Sequence, residues 1–276
     1  MNSPGAKPKS RKEIAFWFGV GFLVLLVVFA ILGPLIRHDP LVPVSKPFLM
    51  PSGLHWLGTD EQGRDVFARL AYGARISLVV GFTVQILSLL VGVTVGLLGV
   101  FAPRWIGMPL MRFADGMFAF PDILLAILII GVWSMGLVPV IVALAITAWP
   151  AVARLVYTQA LSLKDREYVV ASQAMGAKTT YRVVRHVLPH LTGLLMAVAM
   201  VDLAGTILAE SALSFLGIGV QAPQPSWGSM INIARLDMQS NPQLLVWPCV
   251  ILCLTIFALN FVGDGLRARL DPKRAD

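Results

Sequence analysis

Of the 276 residues, 57% are hydrophobic and only 13% charged, with a mean hydropathy of +0.78, whereas charged residues make up about a quarter of an ordinary soluble domain. That composition excludes a soluble enzyme and points to the bilayer as solvent. The net charge of +7 comes without a basic face interleaved with aromatics, which excludes nucleic acid as a partner; the positive residues stand between apolar runs, where they orient a membrane chain.

In chain order, Lys7, Lys9, Arg11 and Lys12 precede an uncharged run from Ile14 to Ile36. At about 23 residues it is long enough to span a bilayer, and no small-x-small cleavage site follows it. A tail over 1–13 and a retained first transmembrane helix over 14–36 are expected. The segment 37–75 reads as an outer loop. Within it Thr59, Asp60, Glu61 and Gln62 have the form of a capping box, with Thr59 as N-cap and Gln62 at N3. A short helix is expected there, with Val66, Phe67 and Leu70 as its apolar face and Gly73 as its stop. Asp60, Glu61 and Asp65 suit a capped, salt-bridged helix at least as well as a cation site, and the structural reading is preferred.

A transmembrane domain is expected over 76–263. Its second span runs from Ile76 to Phe101, its fifth from about Leu191 to Leu213 and its sixth from about Leu244 to Val262, each near the 20 apolar residues a crossing needs. Between Met117 and Tyr157 the run is either one overlong span or two short ones broken at Gly131 to Pro139, where GVWSMGLVP carries turn residues. Asp115 and Asp122 flank the start of this run, with Pro121 as a kink. Charge decides the count. With six spans, 16 of the 22 Lys and Arg fall on one side and six on the other; with five, the majority inverts, and the positive-inside rule prefers six. Both termini, including a tail over 264–276, and the loop 163–190 then face the cytoplasm. Five of the six outward charges crowd into 37–75. The second outer loop, 217–243, allows a short helix from about Ser229 to Met238, with Trp227 at headgroup level. Cys249 and Cys253, four apart in one apolar run, read as packing residues on one helix face.

The loop from Glu167 to Pro189, EYVVASQAMGAKTTYRVVRHVLP, is a polar and basic island in this apolar chain. It reads as two short helices hinged at Gly176. Tyr168, Ala171 and Met175 make one narrow apolar stripe, and Tyr181, Val184 and Leu188 repeat its spacing. Arg182 and Arg185 lie on the other side, Gly176 ends the first helix and Pro189 stops the second. A helix pair without a core of its own, held between two spans, is a handle for another protein.

Catalytic motifs are missing. No Gly-Lys dipeptide occurs, so a phosphate-binding P-loop is excluded, as are G-x-S-x-G and H-E-x-x-H. His186 and His190 are four apart, but Pro189 between them and the lack of an acidic neighbour argue against a metal site. Asp202 and Glu210 lie in the fifth span, where carboxylates are costly enough to be functional candidates. They either pair within the protein, through an interhelical hydrogen bond or with Arg112 or Arg154, or line a translocation path. A gradient-driven transporter using Asp202 as an ion relay is therefore one alternative, and a passive scaffold another.

Gly176, Leu188 and Pro189, at fixed offsets behind Ala171, resemble the cytoplasmic loop of ABC-importer permeases, written EAA, three residues, Gly, nine residues, I-x-L-P. Val170, Ala171 and Ser172 stand for the triplet and His186 for the Ile. Further segments, LGTDEQGRDVFARLAYGARISL (57–78), ESALSFLGIGVQAPQPSWGSMI (210–231) and NFVGDGLRARLDP (260–272), resemble the second permease subunit of the dipeptide, oligopeptide and nickel branch of these importers. The resemblance implies an all-α membrane protein of six transmembrane helices with the type I importer fold and cytoplasmic coupling helices. It further implies a non-catalytic subunit of a bacterial inner-membrane importer of di- or oligopeptides, with nickel, glutathione or another small chelate as alternative cargo. Its partners would be a homologous second permease, two ATPase subunits that hold the ATP and Mg, and an extracytoplasmic substrate-binding protein; this chain would bind no cofactor or metal itself. By position, Glu167, Tyr168, Ala171, Gly176, Ala177, Arg182, Arg185, Leu188 and Pro189 would form the coupling loop.

Overall fold

The computed structural model describes residues 11–36 and 38–270. Most of the expected tail 1–13, Arg37 and the end of the tail 264–276 lie outside them. The described residues form ten α-helices: α1 (Arg11–Ile36), α2 (Val66–Phe101), α3 (Arg104–Met117), α4 (Asp122–Trp133), α5 (Leu137–Lys164), α6 (Glu167–Ala174), α7 (Thr179–Arg182), α8 (Leu188–Phe215), α9 (Trp227–Ala234) and α10 (Gln243–Leu270). The five longest are apolar enough to cross a membrane, and α3 with α4, bent by 93°, qualifies as a sixth passage if taken together.

Contacts between helices fix the path. Gly92 meets Val152 and Gly96 meets Val156, so α2 and α5 run in the same direction and the chain must return between them. The bent pair makes that return. The sequence expects two short spans between Met117 and Tyr157; the break falls at Ser134–Gly136 as expected, but α4 alone, 12 residues long, reaches only about 18 Å of a hydrocarbon core about 30 Å thick. The return therefore begins at Arg104. Pro121, without an N–H, ends the preceding run and starts α4, and α3 buries only Gly107, Met111 and Ala114, one narrow face.

The other neighbours are antiparallel: Gly33 of α1 packs on Ala71 of α2, Gly81 of α2 on Leu203 and Ile207 of α8, and Gly263 of α10 on Val201 of α8. One core, with Leu26, Leu70, Leu203, Trp227 and Leu259, joins α1, α2, α8, α9 and α10, while a second, with Val80, Val84, Ile130 and Val140, joins α2, α4 and α5.

Four expectations for the segments 37–75 and 217–243 are corrected. No helix starts at Thr59. Its hydroxyl donates to Lys46 O and accepts from Leu49 N–H, Gly63 has φ +77°, and the Asp60 carboxylate accepts from the N–H groups of Gln62 and Arg64, so the segment is a folded turn. Asp65 is the N-cap instead, its Oδ1 accepting from Ala68 N–H at 3.0 Å. The helix it starts does not stop at Gly73 but runs on as α2 for 36 residues. There Gly73 lets Trp227 approach to 3.1 Å from where a Cβ would stand. Trp227 consequently does not present its ring to headgroups: it is fully buried, and its indole N–H donates to Leu70 O at 3.2 Å. The helix expected at Ser229–Met238 begins two residues earlier, because Ser226 and Ser229 form a reciprocal capping box, and it tightens into a 3₁₀ turn at Arg235–Asp237.

Candidate functional site

Two features stand out, one at the end of the bundle where α5 and α10 finish, the other within it. The first is the helix pair α6–α7. Gly176 adopts φ +83°; the Ala177 N–H donates to Ser172 O and the Gly176 N–H to Gln173 O, the two bonds of a Schellman motif. Arg182, expected on the polar side, ties the two helices across this turn by donating to Gln173 Oε1 of α6, and it also donates to Thr179 Oγ1 of its own helix at 3.0 Å. The pair is thus a braced elbow rather than a loose loop. It is anchored by Val169, Ser172 and Val187, which are buried.

The expected stripe points away from the bundle. Tyr168, Met175, Tyr181 and Val184 are 39%, 82%, 55% and 64% exposed, and Ala171 is exposed beside them, while Ala177 and Leu188 are half-buried and Glu167, Arg185 and Pro189 exposed. Such large apolar groups in the open mark a contact surface. Pro189 does not stop the helix. A π-helical stretch at Val183–Val187 precedes it, with the Leu188 N–H reaching back to Val183 O, and this re-registered ladder accommodates the proline so that α7 runs on into α8. His186 and His190 are engaged otherwise than as a metal pair: His190 Nδ1–H donates to His186 O at 2.7 Å and its ring stacks on Tyr168 at 5.4 Å.

The second feature is a cavity of about 440 Å³ walled by α2, α4, α5 and α8. Asp202 lines it. So do Asp122, Gln85, Ser88 and Thr147, and Gln85 Nε2 and Ser88 Oγ are buried there without a hydrogen-bond partner among the described residues. Asp122, read from the sequence only as flanking a helix start, is thereby brought to the same cavity as Asp202; the kink at Pro121 is expected from the sequence, but the meeting of α4 with α8 is a contact between distant segments that it does not reveal. Glu210 is not in that wall. Fully buried, it accepts from Ser77 Oγ at 3.2 Å and Ser214 Oγ at 2.7 Å, an interhelical hydrogen bond from α2 to α8. Nor does Asp202 pair with Arg112 or Arg154, since both arginines turn to Asp115.

Residues 88–276 match the family described as binding-protein-dependent transport system inner membrane component. The oligopeptide transport system permease protein OppC of Bacillus subtilis is 38% identical over 99% of this chain and 94% of its own length. The glutathione transport system permease protein GsiD of Pectobacterium atrosepticum is 41% identical, covering 81% of this chain and 74% of its own. For the dipeptide transport system permease protein DppC of Bacillus subtilis the figures are 40%, 92% and 81%. Among solved structures, a chain of the inward-facing MetNI methionine ABC transporter superimposes with a TM-score of 0.61 at 21% identity, over 73% of this chain and 95% of that one; at that identity the likeness concerns the fold.

Proposed function

The chain belongs to the family of binding-protein-dependent transport system inner membrane components, and from that premise we propose that it is a permease subunit of a di- or oligopeptide importer, coupled through α6–α7 to ATPases in partner subunits. The observation that carries this reading is the apolar stripe of Tyr168, Ala171, Met175, Tyr181 and Val184, presented to solvent on a braced elbow. A helix pair of this kind transmits force when its stripe seats in a partner groove. Two ATPase subunits with their own ATP and Mg supply those grooves, and Glu167, Gly176, Ala177, Arg182, Arg185, Leu188 and Pro189 give the elbow its shape and polar rim. The chain's own role is non-catalytic.

A homologous second permease completes the path, and an extracytoplasmic substrate-binding protein delivers the solute. Both termini and α6–α7 face the cytoplasm of a bacterial inner membrane, in keeping with the distribution of Lys and Arg. Two outward charges that count against this orientation, Arg64 and Arg69, are buried and paired with Asp60, and Arg64 also with Glu61. Peptide cargo is supported by the oligopeptide, dipeptide and glutathione relatives and by the cavity, in which the Asp122 and Asp202 carboxylates suit the ammonium end of a peptide. The described cavity wall has no imidazole or thiolate, which favours peptide over free nickel. Asp202 is the path residue; Glu210 holds α2 to α8 beside it.

The test is purification of the chain, tagged at one end, from gently solubilised membranes. Recovery of a second permease and P-loop ATPases, with ATP-driven uptake of labelled dipeptide in vesicles, is expected. Recovery of this chain alone, moving solute down a gradient without ATP, overturns the proposal.

A further inference from the structure

The segment between α1 and α2 brings three metal-binding side chains together. His38 follows the end of α1, His55 lies midway along the loop and Asp65 is the N-cap of α2; the ligand atoms of all three lie within 4.8 Å of one another. Asp65 is fully buried. Its Oδ1 is taken by the Ala68 N–H, so Oδ2 is the atom turned to the imidazoles, 2.9 Å from His55 Nδ1 and 3.7 Å from His38 Nδ1. The two rings lie 5.2 Å apart between centroids and are tilted by 34°.

Capping alone accounts for part of this. It explains Asp65, and the hydrogen bond to Asp65 explains His55. It does not explain His38, whose Nδ1 is buried with no hydrogen-bond partner among the described residues although its ring is 38% exposed. At 3.7 Å from Asp65 Oδ2 that nitrogen is beyond hydrogen-bond distance of the carboxylate it faces, which leaves a buried polar atom unsatisfied. The nearby guanidinium groups do not supply a partner, for Arg64 and Arg69 are turned to Asp60, and Arg64 also to Glu61. Among the described residues the two imidazoles are the basic side chains that face the Asp65 carboxylate.

We propose that His38, His55 and Asp65 form a binding site for one late first-row divalent ion, of which Zn²⁺ is the reference. Two imidazole nitrogens and one carboxylate oxygen are the donor set such ions take, while Ca²⁺ and Mg²⁺ prefer oxygen alone. With bonds of about 2.0–2.1 Å, two donors on a tetrahedral ion stand about 3.3 Å apart, between the two imidazole-to-carboxylate distances here. Coordination requires the lone pair of His55 Nδ1; that imidazole shifts its proton to Nε2 and exchanges its hydrogen bond for a metal bond. The half-open side at His38 leaves the fourth position to water. The ion then ties the end of α1 to the start of α2, at the end of the bundle opposite α6–α7, closing the loop that carries Asp60 and Arg64, to which Arg69 of α2 is paired through Asp60.

The experiment uses the full chain in detergent, carrying a tag without histidine, stripped with chelator and titrated with Zn²⁺ by calorimetry and with Co²⁺ by visible absorption. Expected are one ion per chain, the spectrum of a four-coordinate Co²⁺ ion, and a rise in the melting temperature with Zn²⁺. His38→Ala, at the half-exposed arm, keeps the metal-free melting temperature and weakens binding at least about tenfold. A His186→Ala/His190→Ala chain binds as the wild type does. Absence of saturable binding, equal binding by His38→Ala, or loss of binding in the His186/His190 variant overturns the proposal. His38→Gln, which keeps bulk and polarity, provides the same comparison if the alanine variant is poorly expressed.

Discussion

Gly176 shows how one backbone angle sets the shape of the elbow. At φ +83° it lies where L-residues are disfavoured, yet a Cβ placed there meets nothing within 4 Å. Substitution is therefore penalised through the backbone and not through packing, at roughly 1–2 kcal/mol for an ordinary side chain and more for a β-branched one. Gly176→Asn, which tolerates the left-handed region, is expected to keep near-wild-type uptake. Gly176→Val is expected to co-purify with its partners but to lose most ATP-driven uptake in membrane vesicles; unchanged uptake would count against the elbow as the coupling element. The hinge glycine was readable from the sequence because a C-capping residue acts on its immediate neighbours. The brace from Arg182 to Gln173 was not, because it depends on how the two helices fold back on each other.

Among the elements, the pairing of α2 with α5 places the cavity. A Cβ on Gly92 would stand 2.6 Å from Val152 Cβ, and one on Gly96 the same distance from Ala153 O. Small residues four apart let two membrane helices touch backbone to backbone. Gly96→Leu is expected to force them apart at roughly 1–3 kcal/mol, lowering the melting temperature in detergent and the folded yield. Gly116→Leu on α3, where a Cβ meets nothing within 4 Å, is the control and is expected to melt like the wild type. Equal melting of both would refute the close contact. The places of α1, α5, α8 and α10 along the chain follow from hydropathy, which is local, although α10 runs on past the expected Val262 to Leu270. The bend between α3 and α4 begins at Pro121, where a kink is expected, but its 93° angle is not; nor is the π-helical stretch by which the chain carries Pro189 without stopping, since periodicity has no term for either.

At the scale of the molecule, α4, which gives Asp122 and Ile123 to the cavity wall, leaves Leu124 and Leu128 more than half exposed. These faces suit lipid or a second permease. If the cavity is half of a path, removing its charge should impair passage without dismantling the assembly. Asp202→Asn is expected to lower peptide uptake at least several-fold while the complex still co-purifies and hydrolyses ATP. Glu210→Gln, in the serine-lined pocket beside it, is expected to act on stability instead, because it loosens the bond between α2 and α8. A reversal of these two outcomes, read by uptake and by thermal unfolding, would exchange the assigned roles.

What the sequence by itself determined is membrane residence, the apolar runs of the long helices, and the helix pair hinged at Gly176 with its apolar stripe. These rest on hydrophobic runs, on charge counted along the chain and on spacings within one or two helical turns. Only the tertiary structure decided that Asp65 caps α2 in place of Thr59, that Trp227 is buried against Leu70, that Asp122 joins Asp202 at one cavity, and that His38 and His55 converge on Asp65. Each of these depends on residues brought together by chain folding over a span that no local pattern encodes, and the side chains involved satisfy partners they meet only once the helices have packed.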